Sequence, residues 1–560
     1  MKFYNSNIPG VTTNKSLDGF QEHIKDEHLH VIAPPGSGKT ILGLEILKRI
    51  GKPTLVLSPT LTIRNQWRSR LLEFFTVDGK FEDYSLNIKS PDHITFSTYQ
   101  SLFSLSKSFG DNAKQQLLAF IKLHKIETLV LDEAHHLKNE WWYCLYHLKE
   151  IEGLTVVALT ATPPYDSTAT EINRYFSLCG PIDDEIAVPD LIKNGDLCPH
   201  QDFIYFSKPE EAQIRYIVNY REQILNFTNN LIANTALQES LITLDFYIAP
   251  KESLEYIYQN PRFFSSIIIY LNSCGYAVNE ENLKLLGFSN SDVTFPSFNY
   301  EWAQVLLQHL LIDQREEFVA FEEVLLPIEK ELKRIGVLEH KRVNFVGDEV
   351  LYRNLSNSPS KLESIFQIVK HTDKHLEEDA RTVILTDFIR KEFLNFKGRE
   401  TSVLNKLGVL PIFKYILAKQ VGKTSLGVLT GSLVIIHETA LNQLRELLTN
   451  ENLTNANVDG SEGYVLIHVP DALKNKIAEA VTQLFAEGVI KTLVGTKAFL
   501  GEGWDAPCIN TLVLASYVGS FVSSNQMRGR AIRVDANNLD KTGSIWHLAC
   551  LDPTAIDGGK

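Results

Sequence analysis

The stretch Val31-Ile32-Ala33-Pro34-Pro35-Gly36-Ser37-Gly38-Lys39-Thr40 joins an apolar run to an amphipathic one. Leu29 to Ala33 predicts a buried strand. Ile41 to Leu47 predicts a helix with one apolar face. A strand, a glycine turn and a helix start form a phosphate cradle, because loop N–H groups point inward and the helix N-terminus adds partial positive charge. Pro35, Gly36, Ser37, Gly38 and Lys39 are expected to wrap the phosphates, with Lys39 reaching the β- and γ-positions. The Thr40 hydroxyl is expected to ligate Mg²⁺. Ala33 stands where this pattern usually has its first glycine, a position that tolerates a small side chain.

Composition bounds the rest. The 560 residues are 44% hydrophobic and 22% charged, ordinary for several globular domains. No run of 18 apolar residues is present, and the start lacks an apolar signal core, so no membrane span is expected. Six scattered cysteines without a CxxC pair predict free thiols in a reducing cytoplasm and suggest no zinc site. A net charge of −13 argues against a generally basic surface. It leaves room for a local nucleic-acid groove, one whose binding weakens at high salt.

Upstream of the cradle, Gln21 precedes Lys39 by 18 positions. Its amide can read an adenine edge; a surface glutamine on a first helix is the plainer alternative. Downstream, Thr54 to Ser58 and His93 to Ser97 read as strands ending in small hydroxyls. Leu61 to Phe75 between them has helical spacing. Thr128 to Leu131 then runs into Asp132-Glu133-Ala134-His135-His136. Apolar strand residues ending in two carboxylates suit nucleotide hydrolysis: Asp132 to hold Mg²⁺ through water, Glu133 to deprotonate the attacking water. Thr155 to Leu159 is another strand, closing on Thr160-Ala161-Thr162-Pro163, whose threonines can hydrogen-bond His135 and couple it to another domain.

In this order the motifs resemble the first RecA-like domain of superfamily two helicases of the DEAD/DEAH-box kind. Gly495-Thr496 with Gly501-Glu502-Gly503-Trp504-Asp505 looks like that family's fifth motif, and Asn525-Gln526-Met527-Arg528-Gly529-Arg530-Ala531-Ile532-Arg533 like its sixth. The resemblance implies two lobes that close on ATP and Mg²⁺. Arg530 and Arg533 would face the nucleotide, at least one as an arginine finger. Gly503, Asp505 and Gln526 would line the cleft. It further implies Thr60, Thr98, Gly431 and Thr496 along a nucleic-acid backbone track, although plain strand-end capping explains Thr60 and Thr98 nearly as well. Gly422-Lys423-Thr424 lacks the glycine turn of a second phosphate loop.

The expected fold is therefore α/β: two tandem RecA-like parallel-sheet domains, residues 1–204 and 356–560, separated by a mainly helical insertion, 205–355. The helical segments expected in it are Glu210 to Ile232, Ala303 to Ile312 and Glu316 to Ile335. Its aromatics Tyr256, Tyr258, Phe263 and Phe264 are expected in its core. The expected activity is ATP-dependent nucleic-acid translocation or unwinding. The Ser-Pro-Thr, Ser-Thr-Tyr-Gln and Gly-Glu-Gly-Trp-Asp patterns look closer to restriction- and repair-type DNA enzymes than to RNA remodellers. An RNA-dependent ATPase, or a nucleotide-gated sensor with protein partners in a defence or repair complex, are the alternatives. No acidic–lysine cluster suggests strand cleavage. Family relatives often carry further domains beyond such an end, so a minimal motor and a shortened parent both fit.

Overall fold

The computed structural model describes residues 27–76, 81–137, 139–286, 294–339, 341–345, 347, 349–396, 401–419, 425–448, 453–501 and 504–554. Gln21, Gly503 and Gly422-Lys423-Thr424 lie outside the described residues.

The first lobe is a parallel sheet. Its strands are β1 (His28–Ile32), β2 (Thr54–Ser58), β3 (Tyr84–Ser85), β4 (Ile94–Thr98), β5 (Thr128–Asp132), β6 (Thr155–Thr160) and β7 (Asp184–Glu185), in the spatial order β3-β4-β2-β5-β6-β1-β7. Helices α1 (Lys39–Ile50), α2 (Leu61–Phe74), α3 (Tyr99–Ser108), α4 (Asn139–Leu148) and α5 (Ala169–Cys179) are among those that cover it. Each long strand is an unbroken apolar run because both faces are buried. Leu129, Leu131, Val156 and Ala158 face one core, with Tyr99 and Leu102. Val130, Val157 and Leu159 face the other, with Ile41, Leu44 and Trp67.

The helical unit begins at 206, against the expected 205, but the segment just before it does not belong to the first lobe. Leu191 and Leu197 already pack in the core of the second lobe, and β8 (His200–Ser207) is the edge strand of its sheet. Burial decides this: a single amphipathic segment joins whichever apolar face is open to it.

A separate compact unit comprises residues 206–361 and 549–560. Its helices include α6 (Glu211–Ile232), α7 (Pro261–Ser273), α8 (Tyr300–Gln308) and α9 (Glu322–Arg334). A small antiparallel hairpin, β9 (Leu338–Glu339) with β10 (Arg342–Val343), accompanies them. The helix expected from 316 is a 3₁₀ segment, Arg315–Phe321, before α9 begins. Phe263 and Phe264 are core residues, and Tyr256 is half-buried against His309, but Tyr258 is exposed. The last described residues also belong here rather than to the second lobe: the buried Asp552 carboxylate accepts from Arg221 Nη2 at 2.7 Å.

The second lobe is a mixed sheet: β11 (Thr382–Thr386), β12 (Leu426–Leu429), β13 (Val434–His437), β14 (Asn455–Asn457), β15 (Tyr464–Ile467), β16 (Thr492–Thr496), β17 (Thr511–Leu514) and β18 (Gly543–Cys550). The order is β14-β15-β13-β12-β16-β11-β17-β18-β8. The central pairs are parallel, as expected. Beyond β12 the sheet turns antiparallel through β13, β15 and β14. Helices α10 (Lys474–Ala486) and α11 (Phe521–Ala531) pack in this lobe.

Candidate active site

Strand order creates the site. β5, β6 and β1 are neighbours, so the residues leaving their C-terminal ends meet at one edge. Asp132 is in register with Leu159, and Ile32 with Thr160. Open α/β sheets bind ligands at such an edge. In the loop after β1, Gly36 and Gly38 have φ of +87° and +83°, a region L side chains rarely adopt, and α1 starts at Lys39. Thr40 is the second residue of that helix.

Lys39 Nζ donates to Glu133 Oε1 at 2.7 Å. Glu133 itself sits at φ +50°, which turns its carboxyl back toward the loop. Asp132 is buried and held from two sides: Trp67 Nε1 donates to its Oδ2 at 2.6 Å, and Tyr99 Oη to its carbonyl at 2.8 Å. Gly43 in α1 makes room for this, since a Cβ there would lie 2.3 Å from the Trp67 ring. Trp67 and Tyr99 were not expected to serve the site. Burial pushes the Asp132 carboxyl up, and the Glu133 charge adds to that. Burial also acts upward on Glu133, but the Lys39 charge and its hydrogen bond outweigh it and hold Glu133 well below the usual carboxylate range. Burial brings the His135 imidazole down to about 3, so it is neutral at physiological pH.

His135 Nδ1 lies 2.7 Å from Thr160 Oγ1. From the second lobe, Gln526 Nε2 reaches His135 Nε2 at 3.1 Å and His136 Nε2 at 3.0 Å. Asn525 Nδ2 donates to Thr162 Oγ1 at 3.1 Å, and the Phe521 N–H to Asp166 Oδ2 at 2.7 Å. The N-terminal part of α11 is thus bonded to the loops after β5 and β6. Its far end meets the phosphate loop. A Cβ on Gly529 would stand 2.1 Å from Pro35 Cβ, and one on Gly36 would stand 3.2 Å from Arg533 Cγ. Gln526, expected among the nucleotide contacts, bridges the two histidines in this structure; Asn525 and Asp166 were missed because their partners are hundreds of residues away.

The two arginines separate. Arg533 runs beside Gly36 and pairs with Asp505. Arg530 is buried, and its guanidinium donates to the carbonyls of Trp504 and Gly501 within its own lobe. Arg530 is expected to face the nucleotide; in this structure its guanidinium is held by these two carbonyls. Arg528, for which no partner was expected, is bidentate to Asp202 of β8 at 2.9 and 2.6 Å.

The donor set fits a magnesium nucleotide. Ser37 Oγ, Glu133 Oε2 and Arg533 Nε are buried side-chain atoms without a hydrogen-bond partner, on the elements that meet at the phosphate loop. Buried polar atoms are otherwise nearly always satisfied.

The four residues expected on the nucleic-acid track all sit at or just past strand C-termini. Thr60 and Thr98 cap α2 and α3, accepting from Ile63 N at 3.3 Å and Ser101 N at 3.1 Å. Thr496 ends β16, and Gly431 follows β12. β2 pairs with β4, and β12 with β16, so each lobe brings two of them side by side. Gly431 is not sterically required, since a Cβ there would meet only Phe499, at 3.5 Å.

Residues 13–165 match the family model described as "Type III restriction enzyme, res subunit". Over 163 residues the chain is 29% identical to a DNA 3'-5' translocase XPB2 of Sulfurisphaera tokodaii, covering 28% of this chain and 32% of that one. Over 154 residues it is 29% identical to a putative DNA 3'-5' helicase Rad25 of Haloarcula marismortui, covering 27% and 22%. Over 185 residues it is 30% identical to a Dicer-like protein 2-2 of Aspergillus niger, covering 29% and 13%. The chain thus spans a third or less of these relatives' length. Among solved structures, the helicase domain of Pyrococcus furiosus Hef aligns with 96% of this chain and 95% of its own, with a TM-score of 0.43 and 15% identity. Over its first lobe, the chain is thus similar to the res subunit of type III restriction enzymes and to proteins named DNA translocase and DNA helicase.

Proposed function

We propose that the chain is an ATP-driven motor on nucleic acid, DNA in preference to RNA, working as a helicase or translocase. The observation that carries this reading is the bridge from Gln526 to His135 and His136, because it ties one lobe to the carboxylate loop of the other. A site assembled from two lobes can convert a change at phosphate into relative motion. The choice of DNA rests on the relatives named DNA translocase and DNA helicase.

In this reading Lys39 and the loop N–H groups hold the β- and γ-phosphates. Thr40 and Asp132 would hold Mg²⁺, which neutralises phosphate charge. Glu133 takes the proton from the attacking water. Arg533, rather than Arg530, is the finger that meets charge spreading over the γ-phosphoryl oxygens, and Asp505 holds it until nucleotide arrives. Thr60, Thr98, Gly431 and Thr496 line the strand's path, and the helical unit grips substrate or docks a partner. The working compartment is the cytoplasm; among the described residues no helix is long and apolar enough to cross a membrane.

Steady-state ATP hydrolysis titrated with single-stranded DNA, duplex DNA and RNA tests the reading. Stimulation by DNA is expected. Stimulation by RNA alone overturns the substrate assignment, and stimulation by neither overturns the motor.

A further inference from the structure

Lys541, just ahead of β18, is only 4% exposed. Its ammonium donates to the carbonyls of Pro507 at 2.5 Å, Ile509 at 2.8 Å and Ala531 at 3.1 Å. An ammonium has three N–H donors, so all are used and none is left for a carboxylate. Burial pushes the Lys541 ammonium pKa down, so the charge is kept here at a cost. A well-packed apolar side chain would fill the same space without that cost. Stability alone therefore does not account for a cation at this place; the origin of the three carbonyls does. Ala531 is the last residue of α11, two before Arg533. Its carbonyl is among the helix's last, which lack partners within the helix, and a cation suits that end of the helix dipole. Pro507 and Ile509 follow Asp505, the partner of Arg533, by two and four positions. Lys541 thus ties the loop that carries Asp505 to the helix end that carries Arg533. Two further contacts hold that end: the Cys198 N–H donates to the Ile532 carbonyl at 2.9 Å, and Leu197 forms an antiparallel bridge with Arg533.

We propose that Lys541 is a positioning residue for the Arg533 guanidinium. The inference rests on the reading of Arg533 as the finger. The three bonds of Lys541 all go to backbone, so it acts on Arg533 through the chain on either side of the Asp505–Arg533 pair. It fixes the α11 end and the Asp505 loop at one spacing. Arg533 already runs along the phosphate loop, since a Cβ on Gly36 would stand 3.2 Å from its Cγ. The fixed spacing keeps the guanidinium there when Asp505 gives it up to nucleotide. Without the ammonium, three carbonyl oxygens that face one point lose their donor and repel, and the helix end parts from the loop.

A double-variant cycle on the full chain tests this, read as kcat and the half-saturating ATP concentration of DNA-stimulated hydrolysis. Lys541→Met keeps the length of the side chain and deletes the charge. Alone it is expected to lower kcat at least about tenfold, with half-saturating ATP within about twofold of wild type. On an Arg533→Ala background it is expected to lower kcat no more than about twofold further, because the guanidinium it positions is gone. A lysine with a merely structural role gives the same loss on both backgrounds. That result overturns the inference, as does a wild-type kcat from Lys541→Met. Should Lys541→Met not fold, Lys541→Gln, which keeps two N–H donors, carries the same cycle. If neither folds, the lysine serves stability and the inference is overturned. Failure of the finger reading shows separately, as Arg533→Ala hydrolysing ATP at the wild-type rate.

Discussion

Lys39 Nζ and Glu133 Oε1 are 2.7 Å apart, an ion pair between the phosphate loop and the residue that follows β5. The side chains are 10% and 16% exposed, so water screens the pair little. In this arrangement each residue occupies the other's working group. Glu133 is held ionised, and a carboxylate so stabilised is a weak base. In the proposed mechanism, phosphate arriving at the loop competes for Lys39, and its withdrawal leaves Glu133 with neutral His135 as a neighbour. In that mechanism nucleotide binding restores the base.

Glu133→Gln is expected to bind ATP and to turn it over at least about 10²-fold more slowly, as loss of general-base catalysis requires. Lys39→Ala is expected to lose nucleotide affinity instead. A fluorescent-nucleotide titration run beside single-turnover hydrolysis separates the two. Turnover near wild type from Glu133→Gln refutes the assignment.

The two arginines should fail differently. Arg533→Ala is expected to cost about 10³-fold in kcat, the range of arginine fingers, with little change in melting temperature. Arg530→Ala strands the Trp504 and Gly501 carbonyls and should lower stability by about 2–3 kcal/mol before it touches chemistry. Thermal melts and kcat measured on both variants decide the matter. A stable, inactive Arg530→Ala beside an active Arg533→Ala reverses the roles.

Gly529→Ala places a methyl 2.1 Å from Pro35 Cβ, and neither backbone can yield without separating α11 from the phosphate loop. Hydrolysis should fall at least about tenfold, because the finger reaches the loop only while α11 is docked. Gly431→Ala is the control: its nearest neighbour would be Phe499 at 3.5 Å, so folding should be unaffected. Any loss of nucleic-acid affinity from Gly431→Ala then reports close approach of a phosphate. Unchanged affinity removes Gly431 from the proposed track.

The Asp202–Arg528 pair links β8 to α11. Burial acts upward on Asp202, but the hydrogen bonds from Arg528 and His547 outweigh it, so its folded-state pKa lies below the ordinary value. A lowered carboxyl pKa contributes stability above the unfolded value, near 4, and that stability is lost as pH falls through the folded value. Wild type should therefore exceed Asp202→Asn in stability at pH 7, by about 1 kcal/mol at most because the pair is a third exposed and screened. The difference should shrink below about pH 4. Melting temperatures of both proteins from pH 3 to 8 check this, and a gap that widens toward acid sinks it.

Local pattern carried most of the first lobe. Strands β1, β2, β4, β5 and β6 are long apolar runs that any strand reading finds, and their motifs follow at their ends. The antiparallel strands β13 and β14 were not legible, because four and three residues give too little periodicity. The end of the first lobe was not legible for a related reason: a linker's loyalty is set by which core has room for Leu191 and Leu197, and no window of sequence contains that core.

Residue identity by itself determined the chemistry on offer: a cradle with its lysine, two carboxylates at a strand end, and guanidinium groups far downstream. Tertiary structure alone decided who serves whom. It laid Arg533 beside Gly36 and Arg530 on carbonyls of its own lobe, gave Asp132 its Trp67 and Tyr99 supports, and turned Gln526 to His135 and His136. Chemical type travels with the residue, but distance and burial depend on strand order and lobe docking, which join positions up to several hundred residues apart.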